Sequence, residues 1–370
     1  MSTSFVILLL DFLASAGLGA MVIELILSVT YKKRWFDQPG ARRVHDRPVP
    51  RLGGASFLPV LMIIIAVTLG MMYHLGLTSF FELDYHVLIQ LSVLLGSGMM
   101  MYIVGIADDL VSVGYKTKLL FQFIASCIIV LAGLWIKDYC GLFDIHTVPG
   151  LIGMPLSVLL IIYVVNAINF IDGIDGLASG FCLLSLVALF CVAFAEGRFL
   201  LMMIAITVMG VLTVFWLYNV FGSREKCTKL FMGDSGSLTL GLILSFLIIN
   251  VSGFGSTEGE GAGNYLAISF ATLLIPMLDL FRLVVWRLAH RRSPFKPDNN
   301  HIHHLLMRCG LSQHRTLVLL LSLDVLFIVL TALMVRWLDI TWVFLADVAL
   351  WGVMMTVILL LLKHRERTAL

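Results

Sequence analysis

Four asparagine and aspartate residues lie within ten positions of one another in an otherwise apolar sequence. They are Asn166, Asn169, Asp172 and Asp175, and a glycine follows each aspartate. Asn166 and Asn169 are three residues apart and so share one face of a helix, after which the Asp-Gly steps turn the chain. A turn between helices needs only one such step, whereas Mg²⁺ prefers several carboxylate and amide oxygens. The segment therefore indicates a magnesium site.

Two adjacent carboxylates, Asp108 and Asp109, follow an apolar run that is long enough for a helix. The helix dipole is negative at a C-terminus, so two acids are unfavourable there unless a cation or a basic substrate compensates. The alternative is a solvated helix end at which Lys116 or Lys118 forms a salt bridge. Both interpretations place positive charge beside the pair.

The segment FMGDSGS at residues 231–237 opens a further apolar run and contains Asp234. A helix that begins here would offer free N–H groups to a phosphate, while Asp234 could bind a metal. The alternative is ordinary capping, because Ser and Asp are favoured at a helix N-terminus. Asn219 ends the preceding apolar run and is expected to face the same region.

Histidines cluster in the segment SPFKPDNNHIHH at residues 293–304, which contains His301, His303 and His304. A zinc site would need a fourth ligand that this spacing does not supply, and contact with phosphate is the alternative. A basic segment at residues 43–54, which includes Arg51, precedes the second apolar run. It is a topology signal, a contact to lipid headgroups, or a binding segment for a lipid phosphate.

The elements that must position these groups are membrane helices. Of the 370 residues, 60% are hydrophobic and 13% are charged, whereas a soluble domain carries about 25% charged residues. A bilayer-crossing helix needs about 20 apolar residues. The sequence thus predicts an all-α membrane protein, a polytopic bundle of about eleven transmembrane helices that forms one domain over residues 1–370. The expected spans are 4–30, 54–74, 87–107, 118–136, 154–171, 176–196, 199–219, 235–252, 264–285, 317–337 and 341–362.

Lys and Arg are distributed unevenly about these spans. Of the 25 basic residues, only Lys137, Arg198 and Arg336 fall on one side. The basic side of a membrane protein faces the cytoplasm, which places the N-terminus outside, and the C-terminus and all the motifs inside. The net charge of +2 gives no indication of nucleic-acid binding.

Two classes without an enzymatic activity compete with these interpretations. A secondary transporter would bind its substrate near the bilayer midplane, often between inverted repeats. In this sequence the polar motifs lie at one membrane face, and the middles of the spans read as nearly uncharged. A purely structural membrane scaffold explains the hydrophobicity but not four motifs of acids, amides and histidines. The sequence therefore favours an enzyme.

In combination, these motifs resemble those of the polyprenyl-phosphate N-acetylhexosamine-1-phosphate transferases. The matching segments are DD (108–109), NAINFIDGIDGLA (166–178), FMGDSGS (231–237) and SPFKPDNNHIHH (293–304). The HIHH sequence after SPFxPD is similar to the branch that acts on undecaprenyl phosphate and N-acetylglucosamine 1-phosphate. The phospho-N-acetylmuramoyl-pentapeptide transferases instead carry three consecutive histidines, which this chain lacks.

The resemblance implies a reaction at the cytoplasmic face of the inner membrane. A UDP-N-acetyl sugar and undecaprenyl phosphate would give undecaprenyl-diphospho-sugar and UMP, with Mg²⁺, or Mn²⁺ as a substitute. The product would initiate O-antigen or another cell-surface polysaccharide. N-acetylglucosamine is the expected sugar, with N-acetylgalactosamine, a deoxy-N-acetylhexosamine and the muramoyl-pentapeptide as alternatives. Related enzymes often form homodimers.

Site residues follow from the resemblance by matching position. Asp234 would ligate Mg²⁺ with Asn169 as a second ligand, and Asp108 or Asp109 would be the acid/base or metal-site carboxylate. The histidines His301, His303 and His304 would hold the diphosphate or the sugar. The implied substrate-binding residues are Asp172, Asp175, Asn219, Lys116, Lys118, Asn166 and Arg51.

Two mechanisms are compatible with these residues. An aspartate could orient or deprotonate the lipid phosphate for direct attack on the sugar-bearing phosphorus. Alternatively, an aspartate could attack first and form a covalent phospho-enzyme. Direct attack is favoured, because a lipid phosphate is already a good nucleophile and the reaction mainly needs positioning and charge stabilisation.

Overall fold

The computed structural model describes residues 2–33, 49–77, 85–223, 225–253, 262–292 and 300–368. The part of the basic segment at residues 43–48 and the first seven residues of SPFKPDNNHIHH, at 293–299, lie outside these ranges. The helices and strands in chain order are α1 (Ser2–Lys33), α2 (Phe57–His74), α3 (Tyr85–Val111), α4 (Tyr115–Leu131), β1 (Asp138–Leu142), β2 (Ile145–Thr147), α5 (Gly150–Ile171), α6 (Leu177–Ala195), α7 (Phe199–Phe221), α8 (Gly233–Ser252), α9 (Ala262–Ala271), α10 (Leu274–Ala289), α11 (Ile302–Arg308), α12 (Gln313–Met334) and α13 (Ile340–Thr368).

The chain is a multi-pass, largely helical membrane protein, as predicted. Nine helices in the described ranges are long and apolar enough to cross a membrane. Helices α9 and α10 are bent by 67° relative to each other, as in a broken span or a re-entrant loop, and they count as a tenth span if they cross the membrane together. The predicted span 118–136 corresponds to α4, whose 17 residues lie at the lower end of the length that a crossing requires. The count of eleven, the orientation of the termini and the single domain stay predictions.

Helix α8 lies at the centre of the bundle: 94% of the residues in its most apolar 18-residue stretch are buried. Close approach of its neighbours requires small residues. A Cβ atom at Gly105 of α3 would lie 2.5 Å from the Cα atom of Ser235 in α8, which is less than any ordinary contact. Glycine therefore lets the end of α3, with its two aspartates, pack against the first turn of α8.

At the end of the bundle away from the motifs, β1 and β2 form an antiparallel hairpin, with Asp138 opposite Thr147. This hairpin is not among the elements predicted from the sequence. The turn of the hairpin docks on the start of α13: the backbone N–H of Phe143 donates to Thr341 Oγ1 at 2.8 Å, and the rings of Phe143 and Phe344 meet edge to face.

Carboxylates are buried inside several spans, which corrects the expectation that the middles of the spans are nearly uncharged. Asp11 of α1 accepts a hydrogen bond from Thr68 of α2, and Asp347 of α13 accepts one from Thr331 at 2.8 Å. Asp324 lies in the middle of α12, where neither carboxyl oxygen has a hydrogen-bond partner among the described residues. Acids in a membrane span are costly unless they are paired or neutral.

Candidate active site

The ammonium group of Lys118 joins two carboxylates that come from distant parts of the chain. Its Nζ atom lies 2.9 Å from Asp108 Oδ2 at the end of α3, and 2.5 Å from Asp234 Oδ2 in the first turn of α8. All three side chains are partly exposed, with accessible fractions of 17–23%. The two predicted acidic motifs therefore meet at a single cation, and solvent can reach it.

Asn169 of α5 brings the third motif to the same point. Its amide nitrogen donates to Asp234 Oδ1 at 3.0 Å and to Ser237 Oγ at 2.8 Å. The carboxylate of Asp234 thus contacts Asn169 through one oxygen and Lys118 through the other. Carboxylate and amide oxygens are the ligands of a hard cation, and the geometry already places a positive charge between Asp108 and Asp234. The donor set therefore fits Mg²⁺.

Asp109 has a different environment from its neighbour Asp108. Its two carboxylate oxygens accept the backbone N–H groups of Asp234 at 2.8 Å and of Ser235 at 3.0 Å. Asp109 therefore caps the N-terminus of α8, where a negative charge is favoured. From the sequence, these N–H groups were predicted to be free to bind a phosphate. In the structure they donate to a protein carboxylate instead.

The backbone around Arg51 pairs with the segment that precedes α8. Phe231 donates its N–H group to the carbonyl of Pro50 at 2.7 Å, and Gly53 donates to the carbonyl of Phe231 at 3.0 Å. Arg51 itself is half-buried, and its carbonyl lies where a Cβ atom on Gly233 would point. The end of the basic segment is thus held beside the Asp234 motif, and the role of Arg51 in substrate binding stays a prediction.

Two side chains, Asn219 and Lys229, fix the loop between α5 and α6. Asn219 was predicted to bind substrate, and Lys229 was not predicted to take part. Asn219 accepts the N–H of Gly176 at 2.6 Å and donates to the carbonyl of Leu230 at 2.8 Å. Lys229 forms an ion pair with Asp175 at 2.8 Å and also contacts the carbonyl of Asn219. Both ends of the Asn219 amide are therefore used inside the protein, which indicates a structural role rather than the expected nucleotide contact.

Asp172 lies between these two networks, directly after α5. The residue is accessible to solvent, although many protein atoms surround it. This crowding, together with the negative charges of Asp234, Asp175 and Asp109, raises the pKa of Asp172 to about 7. Asp172 therefore lies close to the other acids, and its role in substrate binding stays a prediction.

Asn166 does not join Asn169, although both lie on α5. Its amide nitrogen donates to Gln122 Oε1 and to the carbonyl of Ile162, both at 2.7 Å. Asn166 lines a cavity of about 630 Å³ between α4, β1, α5, α9 and α10. Among the described residues, its walls are apolar apart from Asn166 and two tyrosines. Phe170, next to Asn169 in the chain, lines the same cavity. The cavity therefore begins beside the acidic site.

The three histidines occupy distinct places around the start of α11. His301 Nδ1 lies 2.9 Å from Asp279 Oδ2, and its ring stacks on Phe170 at 5.9 Å. His303 is only 1% exposed. Its Nε2 atom lies 2.0 Å from the position that a Cβ atom on Gly173 would take, so no residue with a side chain fits there. The ring of His304 lies 4.2 Å from that of His303. The histidine segment is thus packed against the loop that carries Asp172.

Burial lowers the pKa of His303 to about 3, and the neighbouring His304 and His301 add to this effect. His303 is therefore neutral at physiological pH. Its two ring nitrogens have no hydrogen-bond partner in the part of the chain that the structure describes. The position of His303 is that of a packing group, whereas the resemblance implied contact with the diphosphate or the sugar.

Lys116, offered as an alternative to Lys118, is exposed two residues away on α4, and Lys118 alone bridges the acids. Sequence reasoning did not identify Asp279 and its partner Arg282, which form an ion pair at 2.7 Å. An acid in an apolar span, followed three residues later by a base, was the available signal.

Comparisons with known proteins match a large part of the chain to one family. The model of glycosyl transferase family 4 matches residues 91–252, a range that includes the acid pair, both asparagines and Asp234. A decaprenyl-phosphate N-acetylglucosaminephosphotransferase of Mycobacterium leprae is 31% identical over 333 residues, which cover 84% of this chain and 77% of the relative.

Two further relatives are also named as transferases of a polyprenyl phosphate. A probable undecaprenyl-phosphate N-acetylglucosaminyl 1-phosphate transferase of Bacillus subtilis is 28% identical, with 84% of this chain and 80% of the relative covered. An undecaprenyl-phosphate alpha-N-acetylglucosaminyl 1-phosphate transferase of Salmonella typhi is 28% identical, with 80% and 76% covered. With its motifs gathered in one site and these similarities over most of its length, the chain belongs to glycosyl transferase family 4, the polyprenyl-phosphate N-acetylhexosamine-1-phosphate transferases.

Proposed function

We propose that this protein transfers N-acetylglucosamine 1-phosphate from UDP-N-acetylglucosamine to undecaprenyl phosphate. The products are undecaprenyl-diphospho-N-acetylglucosamine and UMP, and the lipid-linked sugar initiates a cell-surface polysaccharide such as O-antigen. The observation that carries the proposal is the convergence of Asp108, Lys118, Asn169 and Asp234 from four helices. The relatives named above give the sugar and the type of acceptor.

The proposed site handles two negatively charged substrates with a small set of charges. Asp234 and Asn169 would hold Mg²⁺, with Asp108 beside them, and the bound ion would neutralise charge on the diphosphate during phosphoryl transfer. Lys118 supplies a fixed positive charge at the same point. Asp109 acts indirectly, because its hydrogen bonds to the start of α8 orient Asp234.

The apolar cavity is a suitable place for the polyprenyl chain of the acceptor. It extends along α5 from Phe170 to Leu156, a rise of about 21 Å at 1.5 Å per residue. Leu156 and Leu159 in its wall are 44% and 61% exposed on the apolar surface of the bundle. A lipid could therefore enter from the bilayer, with its phosphate at the end near Asn169.

We further propose that the site faces the cytoplasm in the inner membrane, with the N-terminus outside. The basic loops support this orientation, and the nucleotide-sugar is a soluble substrate that is made in the cytoplasm. The lipid phosphate attacks the sugar-bearing phosphorus directly while Asp108 orients it or accepts its proton. The alternative, in which an aspartate first becomes phosphorylated, uses the same residues.

An activity assay tests the proposal. The purified protein in detergent is given Mg²⁺, sugar-labelled UDP-N-acetylglucosamine and undecaprenyl phosphate. Lipid-extractable label together with UMP is the expected result, and its absence contradicts the proposed function. A panel of UDP-N-acetylgalactosamine and UDP-muramoyl-pentapeptide determines the sugar. Release of UMP without any lipid, with label retained on the protein, would instead support the covalent mechanism.

A further inference from the structure

A buried carboxylate outside the sequence motifs, Asp279 of α10, accepts hydrogen bonds from three donors. Its exposed fraction is 0%. Oδ1 accepts from the guanidinium of Arg282 at 2.7 Å, and Oδ2 lies 2.9 Å from Nδ1 of His301. The backbone N–H of Ile302 lies 3.2 Å from Oδ1. In the described part of the chain, the partners of this buried group are thus at the start of the histidine helix or one turn along α10.

These partners determine which nitrogen of His301 carries the proton. An ionised carboxylate accepts hydrogen bonds and donates none, and the ion pair with Arg282 keeps Asp279 ionised. Nδ1 of His301 must therefore be the protonated nitrogen, and Nε2 is the nitrogen available to another group. A carboxylate on Nδ1–H also stabilises an imidazolium, as it does in catalytic triads.

The His301 ring is held on other sides as well. Phe170 stacks on it with an angle of 18° between the ring planes, and the ring of His303 stacks 5.8 Å away. Arg282 also donates to the carbonyl of Asn300 at 2.6 Å, which fixes the backbone just before His301. Phe170 follows Asn169, so the imidazole lies next to the proposed site of the diphosphate.

We infer that Asp279 is a positioning residue, which holds His301 so that Nε2 faces the diphosphate of the nucleotide-sugar. The inference rests on the proposed function, because that function supplies the diphosphate. Asp279 keeps a proton on Nδ1, so Nε2 is the ring nitrogen left to face the substrate. When Nε2 carries a proton as well, it donates a hydrogen bond to a phosphate oxygen as negative charge moves to the UMP leaving group. Arg282 holds Asp279 ionised for this purpose.

A double-mutant cycle tests whether Asp279 acts through His301. Asn has the shape of Asp but would present an N–H₂ group to Nδ1, which favours the opposite tautomer. We expect Asp279→Asn to lower kcat by about 10- to 100-fold, as loss of a group that orients a histidine does, with the KM for UDP-N-acetylglucosamine nearly unchanged. His301→Ala should lower kcat at least as much, and the double variant should equal His301→Ala. Multiplied effects in the double variant would overturn the inference.

A matched control is Asp324→Asn, which changes another fully buried aspartate of a membrane helix, distant in sequence from every motif. Activity close to that of the natural protein is expected for Asp324→Asn. Its loss in that variant as well would assign the Asp279 effect to general damage and overturn the inference. Thermal unfolding midpoints of all variants identify any that fail to fold.

A spectroscopic measurement decides the point without activity. In ¹⁵N-histidine-labelled protein, with His301→Ala used to assign the signal, we expect a protonated Nδ1 and an unprotonated Nε2 at high pH. Asp279→Asn should reverse this pattern. A proton on Nε2 in the unaltered protein, or a signal that Asp279→Asn leaves unchanged, contradicts the inference. If the unaltered protein transfers no sugar phosphate, the proposed function fails while this spectrum still determines the role of Asp279.

Discussion

The carboxylate of Asp109 accepts the backbone N–H of Asp234 at 2.8 Å, so a residue of one acidic motif orients the key residue of another. Asp108, its neighbour, faces Lys118 and solvent instead. The two adjacent acids have different environments, and we therefore expect them to have separate functions. One fixes the first turn of α8, and the other is available to substrate.

Substitution of the two acids by asparagine should separate these functions. We expect Asp108→Asn to lower kcat by about 10²-fold or more, the range for loss of an acid/base group, with an unchanged unfolding midpoint. Asp109→Asn should lower the free energy of unfolding by about 1 kcal/mol, the typical value of a helix cap. Activity assays and thermal unfolding in detergent measure both effects. Equal losses of stability in the two variants would contradict the assignment.

The positive charge of Lys118 should be essential, unlike that of Lys116. Lys118→Met leaves Asp108 and Asp234 without their shared cation, and we expect kcat to fall by about 10²- to 10³-fold. Lys116→Met is the matched control, because Lys116 is exposed on the same helix. It should retain nearly full activity. An active Lys118→Met enzyme would show that the bridge is only structural.

We expect UMP release to depend on a divalent metal ion and on the carboxylate of Asp234. Chelation of divalent ions is expected to abolish UMP release by the unaltered protein, and Mg²⁺ or Mn²⁺ should restore it. Asp234→Ala should remain inactive at every Mg²⁺ concentration while it still inserts and folds, since only the carboxylate is removed from a partly exposed position. Measurable Mg²⁺-dependent activity of this variant would refute the metal assignment.

Filling the apolar cavity should affect the lipid and not the nucleotide-sugar. Val284 lines the cavity, whereas Val285, its neighbour on α10, does not line it and is 48% exposed. We expect Val284→Trp to raise the KM for undecaprenyl phosphate about tenfold, the equivalent of 1.4 kcal/mol, and to leave the KM for UDP-N-acetylglucosamine unchanged. Val285→Trp should change neither constant. A rise in both for Val284→Trp would contradict a lipid site.

The raised pKa of Asp172 predicts a pH-dependent stability. Because its pKa is about 7 in the folded protein and about 3.9 when unfolded, folding favours the protonated form. The stabilisation is complete below pH 4 and is lost as the pH rises to about 7. In metal-free buffer, Asp172→Asn should therefore gain stability relative to the unaltered protein between pH 5 and pH 8. A constant difference in unfolding midpoint across this range would contradict the shift.

Much of the helical architecture could be predicted, because apolar length and the positions of Lys and Arg are local properties of the sequence. Helix α4 and the pair α9–α10 were harder, since one is short and the other is bent by 67°. The docking of Phe143 on α13 depends on a contact between residues far apart in the chain. No local pattern around residues 138–147 indicates it.

The candidate site could be predicted as a set of residue types but not as a set of partners. The sequence indicated that Asp108, Asp234 and Asn169 belong together, and the structure places them in contact. The sequence could not indicate that Asn166 forms a hydrogen bond with Gln122 or that Asn219 holds a loop. Both amides look alike in sequence, and only the packing of helices determines whether an amide meets substrate or protein.

The last helix limits how the C-terminal end of the protein can be altered for purification. Arg365 of α13 donates to the carbonyl of Arg308 at 3.1 Å, and Arg308 pairs with Glu366 at 2.7 Å. These contacts tie the C-terminal end of the chain to the helix that carries His303 and His304. Truncation before Arg365, or a bulky fusion directly after it, would therefore loosen the packing of α11, so an affinity tag at this end needs a flexible spacer.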